Sequence, residues 1–483
     1  MTFESLLTAV QHILWDYLLI YLLCGIGIIY TILLKGIQIR KFKTAFSALF
    51  SKFSLSGKKA DKGGMSSFQA VSTAIAGQVG TGNLAGPATA IIAGGPGAIF
   101  WMWVSSFFGM ATIYAEAMLA QKYKTKDRTG QAVGGPAYYI ERGLGLKWLA
   151  VLFAVLIILA LGLIGNMVQS NSIAAAFEKS LSIPTWVTGI FVAVLVAFVV
   201  IGGIRNIASF TEKVVPSMAI LYLLGAIIVL AMNYQYILPA FKMIFIAAFN
   251  PEAVLGGGAG IAIQQAMRLG IARGLFSNEA GMGSTPHAHA VAKVRTPEEQ
   301  GYIAMMGVFV VGIIVTVTGL VIITSGIRGW EASGSTNPSF LSFFDGHGTG
   351  ITITQFAYEM VFGSAGGIFI AFSLLFFAFS TIIGWYYYAE TNVRYLFKSR
   401  AAVPMFQILA VLGVFGASFI KVDVVWQLAD VFNGLMVLPN IVALVLLAPI
   451  VVMMTPGLSW ERIPLLGKIK FRKAHLADIS KES

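Results

Sequence analysis

The sequence has almost none of the residues on which disulfides and cysteine metal centres depend. Cys24 is the single cysteine in 483 residues, and it lies within an apolar run. One cysteine cannot form an internal disulfide, so we expect neither redox chemistry nor a cysteine metal cluster. His287 and His289 lie close together in TPHAHA, but no third ligand lies nearby at a metal-site spacing. The sequence therefore does not predict a transition-metal site.

Charged residues are also scarce. Asp, Glu, Lys and Arg make up 11% of the chain, whereas 57% of its residues are hydrophobic. A soluble globule of this composition would expose large apolar patches, which a lipid bilayer would instead cover. The chain has no HExxH motif, paired catalytic carboxylates or nucleophile elbow. We therefore predict a membrane protein that is not an enzyme.

Eleven apolar stretches are long enough to cross a membrane, since a hydrocarbon core of roughly 30 Å needs about 20 apolar residues. The predicted spans 1 to 11 are residues 15–35, 66–93, 96–122, 147–178, 184–203, 213–233, 256–282, 303–326, 363–397, 403–421 and 428–455. No polar linker separates them, so residues 1–483 are predicted to form a single all-α polytopic membrane domain.

The basic residues indicate how these spans are oriented. If the N-terminus is outside, the external connections contain only Lys179, Lys242, Arg328 and Lys421 of the 33 Lys and Arg, while Arg268 and Arg273 lie within span 7. The positive-inside rule then predicts an external N-terminus and a cytoplasmic tail over residues 456–483. The net charge of +12 reflects this orientation in a bacterial-type inner membrane, and we expect no nucleic-acid partner.

Two spans contain glycines at positions that favour an interruption of the helix. Span 2 has four glycines before Pro87, and Gly270, Gly274, Gly281 and Gly283 precede Pro286 in and just after span 7. Glycine lowers the cost of leaving the helical conformation, and unwound backbone survives at membrane depth only where it lines a cavity. The two spans lie five helices apart, as expected for inverted repeats over residues 66–233 and 256–455 preceded by an extra helix. Alternatively, these glycines serve only close helix packing.

Polar residues accompany both predicted interruptions. Span 2 carries the run Gln78-Val79-Gly80-Thr81-Gly82-Asn83, and span 7 carries Ser277-Asn278-Glu279. The N-terminus of a half-helix presents N–H groups that suit a carboxylate, and free carbonyls of the preceding half suit a desolvated Na⁺. Glu279 either senses charge or caps the second half-helix.

Spans 4 and 9 add further candidates. Gln169 either donates to a ligand or makes an interhelical hydrogen bond. Ser380 and Thr381 either offer hydroxyl oxygens to a hard cation or bond to their own helix. Trp385 lies four residues after Thr381 and on nearly the same face. It either limits the volume of a pocket or belongs to an interfacial aromatic belt.

Together these residues resemble the alanine or glycine:cation symporters, a family of the amino acid-polyamine-cation superfamily with the LeuT-type fold. The resemblance rests on the motifs SSFQAVSTAIAGQVGTGNLAGPATAI, GGPGAIFWMW, GGPAYYI, GNMVQSNSIA, GLFSNEAGMGSTPHAHA and STIIGWYYYAE. It implies ten core helices in a 5+5 inverted repeat, with one extra N-terminal helix. It also implies sodium-coupled import of alanine or glycine by alternating access, with no organic cofactor.

The resemblance also implies roles for individual residues. The implied substrate contacts are Gly80, Thr81, Gly82, Asn83, Gln169, Gly281, Met282 and Trp385. The implied sodium ligands are Ala76, Val79, Phe377, Ser380 and Thr381. No spare Arg or Asp lies at the interruptions, which argues against a charged substrate side chain. A proton-coupled symporter, or one for another small solute, is the alternative, and we expect a monomer in the bilayer.

Overall fold

The computed structural model describes residues 3–51, 64–250, 263–334, 339–420 and 422–460. Residues 251–262 at the start of the predicted span 7, and residues 461–483 of the predicted tail, lie outside this range. The first half consists of α1 Phe3–His12, α2 Leu19–Leu33, α3 Ile37–Arg40, α4 Phe42–Ser51, α5 Ser67–Gln78, α6 Thr81–Gly94, α7 Gly97–Lys122, α8 Pro136–Tyr139, α9 Lys147–Ile157, α10 Asn166–Leu181, α11 Thr185–Ile201, α12 Gly203–Met232 and α13 Tyr234–Phe249.

The second half continues with α14 Ile263–Asn278, α15 Pro286–Ala290, α16 Pro297–Ser333, α17 Ile351–Phe362, α18 Ser364–Leu396, α19 Ala402–Gly416, α20 Val422–Leu446 and α21 Ala448–Met454. Two short strands, β1 Thr125–Lys126 and β2 Ala132–Val133, form an antiparallel hairpin. Turns of π-helix join α1 to α2 and α9 to α10. The predicted all-helical architecture is therefore confirmed apart from this hairpin.

The described part of the chain contains eight helices that are long and apolar enough to cross a membrane. They are Leu7–Leu33, Gly97–Lys122, Lys147–Leu181, Gly203–Met232, Pro297–Ser333, Ser364–Leu396, Ala402–Phe419 and Val424–Leu446. Helices α11 and α13 are apolar but shorter. Large side chains such as Phe198, Leu238 and Met405 are exposed on the outside of the bundle. This surface suits lipid, and the chain is a multi-pass membrane protein.

The predicted interruption of span 2 is confirmed. Helix α5 begins with a capping box, in which the Ser66 side chain accepts from the Gln69 N–H and Gln69 accepts from the Ser66 N–H. It ends at Gln78, and α6 begins at Thr81. The Asn83 side chain accepts a hydrogen bond of 3.0 Å from the Gly80 N–H, which stabilises the start of α6. Two residues therefore separate two helices that share one span.

The predicted interruption of span 7 is also confirmed, but the segment after it differs from the expectation. Helix α14 ends at Asn278, and Glu279, Gly281 and Gly283 have φ values of 55°, 84° and 82°. These left-handed conformations reverse the chain locally, and two of the three positions hold glycine because glycine adopts them without steric cost. The next helix, α15, has five residues, so the expected second half-helix is only a short turn.

The two interrupted segments lie in the middle of the bundle. Helix α18 contacts α5, α10, α12 and α17, and α7 contacts α14 and α16. The N-terminal helices lie at the edge, where α1 contacts α20 and α2 contacts α7 and α20. Both interruptions are therefore surrounded by protein, which is the condition for irregular backbone at membrane depth.

Candidate functional site

The first interruption lies directly against α10 and α18. A Cβ on Gly80 would lie 2.4 Å from the Thr381 Oγ1 and 2.9 Å from the Gln169 Oε1. The Thr81 N–H donates to the Gln169 Oε1 at 3.1 Å. The structure thus brings Gly80, Thr81, Gln169 and Thr381 together. Gly80 has an ordinary φ of −131°, so the need for glycine here comes from close packing and not from backbone strain.

The second interruption lies beside the first. The Asn83 Nδ2 donates to the Ser277 Oγ at 2.8 Å, and the Gln78 Nε2 donates to the Asn278 carbonyl at 2.7 Å. A Cβ on Gly82 would lie 3.0 Å from the Phe276 ring. Gln78 therefore has a structural role, because its side-chain nitrogen connects the two interrupted segments.

Trp385 and Glu279 connect the second interruption to α18. The Trp385 Nε1 donates to the Glu279 Oε1 at 2.7 Å, and the Ser284 Oγ donates to the Glu279 Oε2 at 2.5 Å. The Trp385 ring packs against Gly165, where a Cβ would lie 2.7 Å from the ring. Glu279 thus holds the turn and orients the indole. Trp385 is 3% exposed, which places it inside the protein and not in an interfacial belt.

Sequence reasoning missed Glu116 and Asn440, which hold the second interruption from the other side. The Glu116 carboxylate accepts from the Gly281 N–H at 2.9 Å, the Gly283 N–H at 3.0 Å and the Asn440 Nδ2 at 2.7 Å. Asn440 also donates to the Gly281 carbonyl at 2.9 Å and accepts from the Tyr139 hydroxyl. A glutamate in the middle of an apolar span is rare and functional by default, and this signal was present in the sequence.

The predicted substrate contacts Gly281 and Met282 lie in this turn. Gly281 contacts Glu116 and Asn440 through its backbone, and a Cβ there would lie 2.7 Å from Leu23 of α2. The Met282 N–H donates to the Glu279 carbonyl at 3.1 Å, and its side chain is buried. Gly281 thus faces α2 and α7, whereas the residues at the end of α14 contact the first interruption.

Four of the five predicted sodium ligands form an oxygen cluster between α5 and α18. The Thr381 Oγ1 donates to the Ala76 carbonyl at 2.9 Å and to the Phe377 carbonyl of its own helix at 3.1 Å, so the bond to its own helix that the sequence left open as an alternative is present. The Ser380 Oγ lies 2.9 Å from the same Phe377 carbonyl, and on its other side 3.5 Å from the Met218 sulfur. Carbonyl and hydroxyl oxygens next to an interrupted helix are the donor set that a hard monovalent cation prefers.

The fifth predicted ligand, Val79, lies at the end of α5. Its N–H donates to the Ile75 carbonyl at 2.8 Å, so the last turn of α5 is intact up to this residue. The Thr81 Oγ1 is fully buried and has no hydrogen-bond partner among the described residues. A buried hydroxyl without a partner is expensive, so this oxygen is available to a ligand.

A cavity of about 580 Å³ connects one face of the bundle to the first interruption. Its wall is formed by residues of α6, α10, α14, α17 and α20 and by the loop before α17, and these include Gly82, Ser172, Phe276, Gly348 and Trp426. Gly82 and Phe276, which contact each other, lie at its inner end. The cavity therefore extends to the start of α6, next to Gly80.

The opposite face is closed by α15. The His287 Nδ1 donates to the Ser284 carbonyl at 2.6 Å, and the His287 Nε2 accepts from the Asn392 Nδ2 at 2.8 Å. Gly135 has a φ of 123°, and a Cβ there would lie 2.6 Å from the His287 ring. Burial lowers the pKa of His287 to about 4, so the ring is neutral at pH 7. The motifs GGPAYYI and TPHAHA thus pack together on this face.

Comparison with known proteins agrees with this geometry. The model of the sodium:alanine symporter family matches residues 1–462. The chain is 42% identical to the sodium/alanine symporter AgcS of Methanococcus maripaludis over 464 residues, which cover 95% of this chain and 98% of that protein. It is 39% identical to the putative sodium/proton-dependent alanine carrier protein YrbD of Bacillus subtilis over 445 residues, which cover 91% and 89% of the two chains.

A solved structure supports the fold. The manganese transporter of Eremococcus coleocola is similar with a TM-score of 0.53 at 13% identity, over 86% of this chain and 83% of that one. At this identity the likeness concerns the arrangement of helices alone. The family and the Methanococcus maripaludis relative are named as symporters, and this chain is a transporter and not an enzyme. This chain belongs to the sodium:alanine symporter family.

Proposed function

We propose that this protein is a sodium-coupled symporter that imports small neutral amino acids such as alanine and glycine by alternating access. The observation that carries the proposal is the juxtaposition of two interrupted helices beside the oxygen cluster around Thr381. The Methanococcus maripaludis relative is named for sodium and alanine, which supports both solutes. Proton coupling, named with sodium for the Bacillus subtilis relative, is the alternative for the cation.

The substrate carboxylate binds at the N-terminus of α6. The first N–H groups of a helix lack partners within it, and they carry the positive end of its dipole. Gly80, Thr81 and Gly82 present this end. The Gly80 and Thr81 N–H groups donate to Asn83 and Gln169 in the structure and would turn to the carboxylate on binding, and the unpartnered Thr81 hydroxyl adds a donor. Asn83 holds the turn, and Gln169 reaches it from α10.

The size of the site favours a small side chain. The contact of Gly80 with Gln169 and Thr381 and the contact of Trp385 with Gly165 leave little free volume. Gly281 and Met282 lie in the turn of the second interruption, whose preceding residues Ser277 and Asn278 contact the first, so they border the site without facing it. Alanine and glycine carry their two charges on the α-amino and α-carboxylate groups. Their side chains therefore bring no charge into the site that would need a partner.

Sodium binds between α5 and α18. The carbonyl oxygens of Ala76, Val79 and Phe377 and the hydroxyl oxygens of Ser380 and Thr381 are its ligands. Thr381 belongs to both sites, because it contacts Gly80 as well as the Ala76 carbonyl. Sodium bound there would fix the position of Gly80, so each ligand would raise the affinity of the other by the same factor.

The finer topology is also part of this proposal. Eleven spans, with α5 and α6 counted as one, form a 5+5 inverted repeat of the LeuT type after an extra N-terminal helix. The cavity that ends at Gly82 faces outside, and α15 faces the cytoplasm, with the N-terminus outside and the C-terminus inside. The protein works as a monomer in the bacterial inner (plasma) membrane.

Uptake of labelled alanine into proteoliposomes tests the proposal. An inward Na⁺ gradient should drive saturable uptake, and replacement of Na⁺ by choline should abolish it. Uptake that depends on a pH gradient alone would overturn sodium as the coupling ion, and a lack of uptake for both alanine and glycine would overturn the substrate. Competition by unlabelled serine and glutamine then measures how large a side chain the site accepts.

A further inference from the structure

A short basic segment, residues 35–43, follows α2 at the edge of the bundle. Lys35 and Gly36 adopt left-handed conformations, with φ values of 53° and 63°, and the Gly36 N–H donates to the Thr31 carbonyl at 2.7 Å. These bonds end α2, and α3 and α4 follow as separate short helices. The segment carries four cations, at positions 35, 40, 41 and 43, whereas residues 35–51 contain no Asp or Glu.

The four cations have no carboxylate partner in the described part of the chain. None of the ion pairs found there involves them, and Glu298 at the start of the adjoining helix α16 forms no ion pair with them. The Arg40 guanidinium donates to the Leu34 carbonyl at 3.2 Å, which leaves its positive charge uncompensated. Lys35 and Lys43 are exposed. The protein therefore presents a concentrated positive charge here without a matching negative one.

Apolar side chains are exposed directly beside these cations. Ile39 is 70% exposed and Phe46 is 45% exposed, whereas Leu49 on the inner side of α4 is buried. The Phe42 ring packs edge-on against Phe309 of α16, with 5.0 Å between the ring centres. Helix α4 thus contacts the bundle on one side and presents both apolar and basic side chains on the other. A helix with this pattern suits the boundary between lipid headgroups and acyl chains.

We propose that the basic segment binds the phosphate groups of anionic phospholipids. Lysine and arginine next to a membrane surface attract anionic headgroups, and their contributions accumulate when several lie within a Debye length. A zwitterionic lipid is a poor occupant, because its own ammonium group would face the same cations. The lipid acyl chains cover Ile39 and Phe46, which distinguishes a lipid from a soluble phosphate compound. The leaflet is the cytoplasmic one in the orientation proposed above.

Native mass spectrometry of the full-length protein in detergent tests this site, because it counts bound lipid molecules. The probes are phosphatidylglycerol and phosphatidylcholine with identical acyl chains. The wild type should bind phosphatidylglycerol about tenfold or more tightly than phosphatidylcholine, and K35Q/K41Q/K43Q should lose this preference. The matched control K126Q/K398Q/R400Q removes the same number of exposed cations from other loops, and it should bind like the wild type.

Equal binding of the two lipids by the wild type would overturn the proposal, and this comparison needs no variant. The proposal would also fail if K35Q/K41Q/K43Q kept the preference, or if the control lost it to the same extent. Inorganic phosphate at millimolar concentration should leave phosphatidylglycerol bound. Displacement by phosphate would show that a soluble anion, and not a lipid, occupies the segment. The measurement contains no amino acid, so its outcome is independent of the proposed transport.

Discussion

The exchange of Glu116 for Gln is the most informative single change in this protein. The carboxylate accepts three N–H donors, two of them from the backbone of the second interruption. A glutamine offers only one oxygen, so its NH₂ group would face either the Gly281 N–H or the donors of Gly283 and Asn440. The turn between α14 and α15 would then contain an unpaired buried donor.

The expected cost can be worked out from these contacts. A hydrogen bond to a charged acceptor contributes about 1.5 to 3 kcal/mol, and a buried donor left without a partner costs about as much. The formed turn should therefore be destabilised by about 3 kcal/mol, which corresponds to a population shift of roughly a hundredfold. Uptake by E116Q should fall, and thermal unfolding in detergent should occur at a lower temperature.

The opposing effect is the cost of burying a charge. A carboxylate removed from water has a large desolvation penalty, and a neutral replacement recovers it. Glu116 is fully buried, so the two effects oppose each other, and we expect the loss of pairing to prevail because a glutamine leaves one or more of the three donors unpaired. Proteoliposome uptake and unfolding temperature should be measured for E116Q beside E178Q, since Glu178 is exposed on α10. An E116Q protein as stable and active as E178Q would refute this reasoning.

Three further predictions concern the first interruption and the closed face. Gly80→Ala should abolish uptake, because its Cβ would overlap the Thr381 hydroxyl, whereas Gly86→Ala, whose Cβ would meet open space, should retain uptake. Thr381→Ala should raise the Na⁺ concentration needed for half-maximal uptake, and Thr381→Ser should restore it. An unchanged Na⁺ dependence in the alanine variant would remove Thr381 from the ion site. Burial lowers the pKa of His287 to about 4 and that of His289 to about 3. The unfolded chain, whose histidines titrate near pH 6.5, therefore takes up protons first, and the unfolding temperature should fall as the pH decreases from 7 to 5. A double His→Asn variant with the same pH dependence would contradict this account.

The two buried glutamates bind different parts of the second interruption. Glu116 binds the backbone of Gly281 and Gly283, and Glu279 binds Ser284 and Trp385. One carboxylate thus fixes the turn to α7, and the other fixes it to α18. A movement of α18 relative to α7 must change at least one of these sets of contacts, so this turn would transmit such a movement to the substrate site.

The apolar helices and the positions of both interruptions could be predicted from the amino-acid sequence alone. Long apolar runs identify helices because a membrane requires every backbone group to bond within its own segment. The glycines and polar residues around Gly80 and Glu279 marked the breaks, because such residues are expensive in an ordinary span. For Gly80 the sequence left two reasons open, and the structure is consistent with both, since its φ of −131° and ψ of −149° are not helical and a Cβ there would lie against Thr381 and Gln169.

Which side chains meet could not be predicted from the sequence, because it depends on how the helices pack. Glu116 and Asn440 are 324 residues apart, and no local pattern pairs them. The same is true of Arg273 and Asp430 at the cavity entrance, and of Trp385 and Glu279. Periodicity fixes which face of a helix is buried, whereas the partner on the facing helix depends on how the helices cross. The contacts that form the candidate site are therefore set by how the helices pack in the bundle.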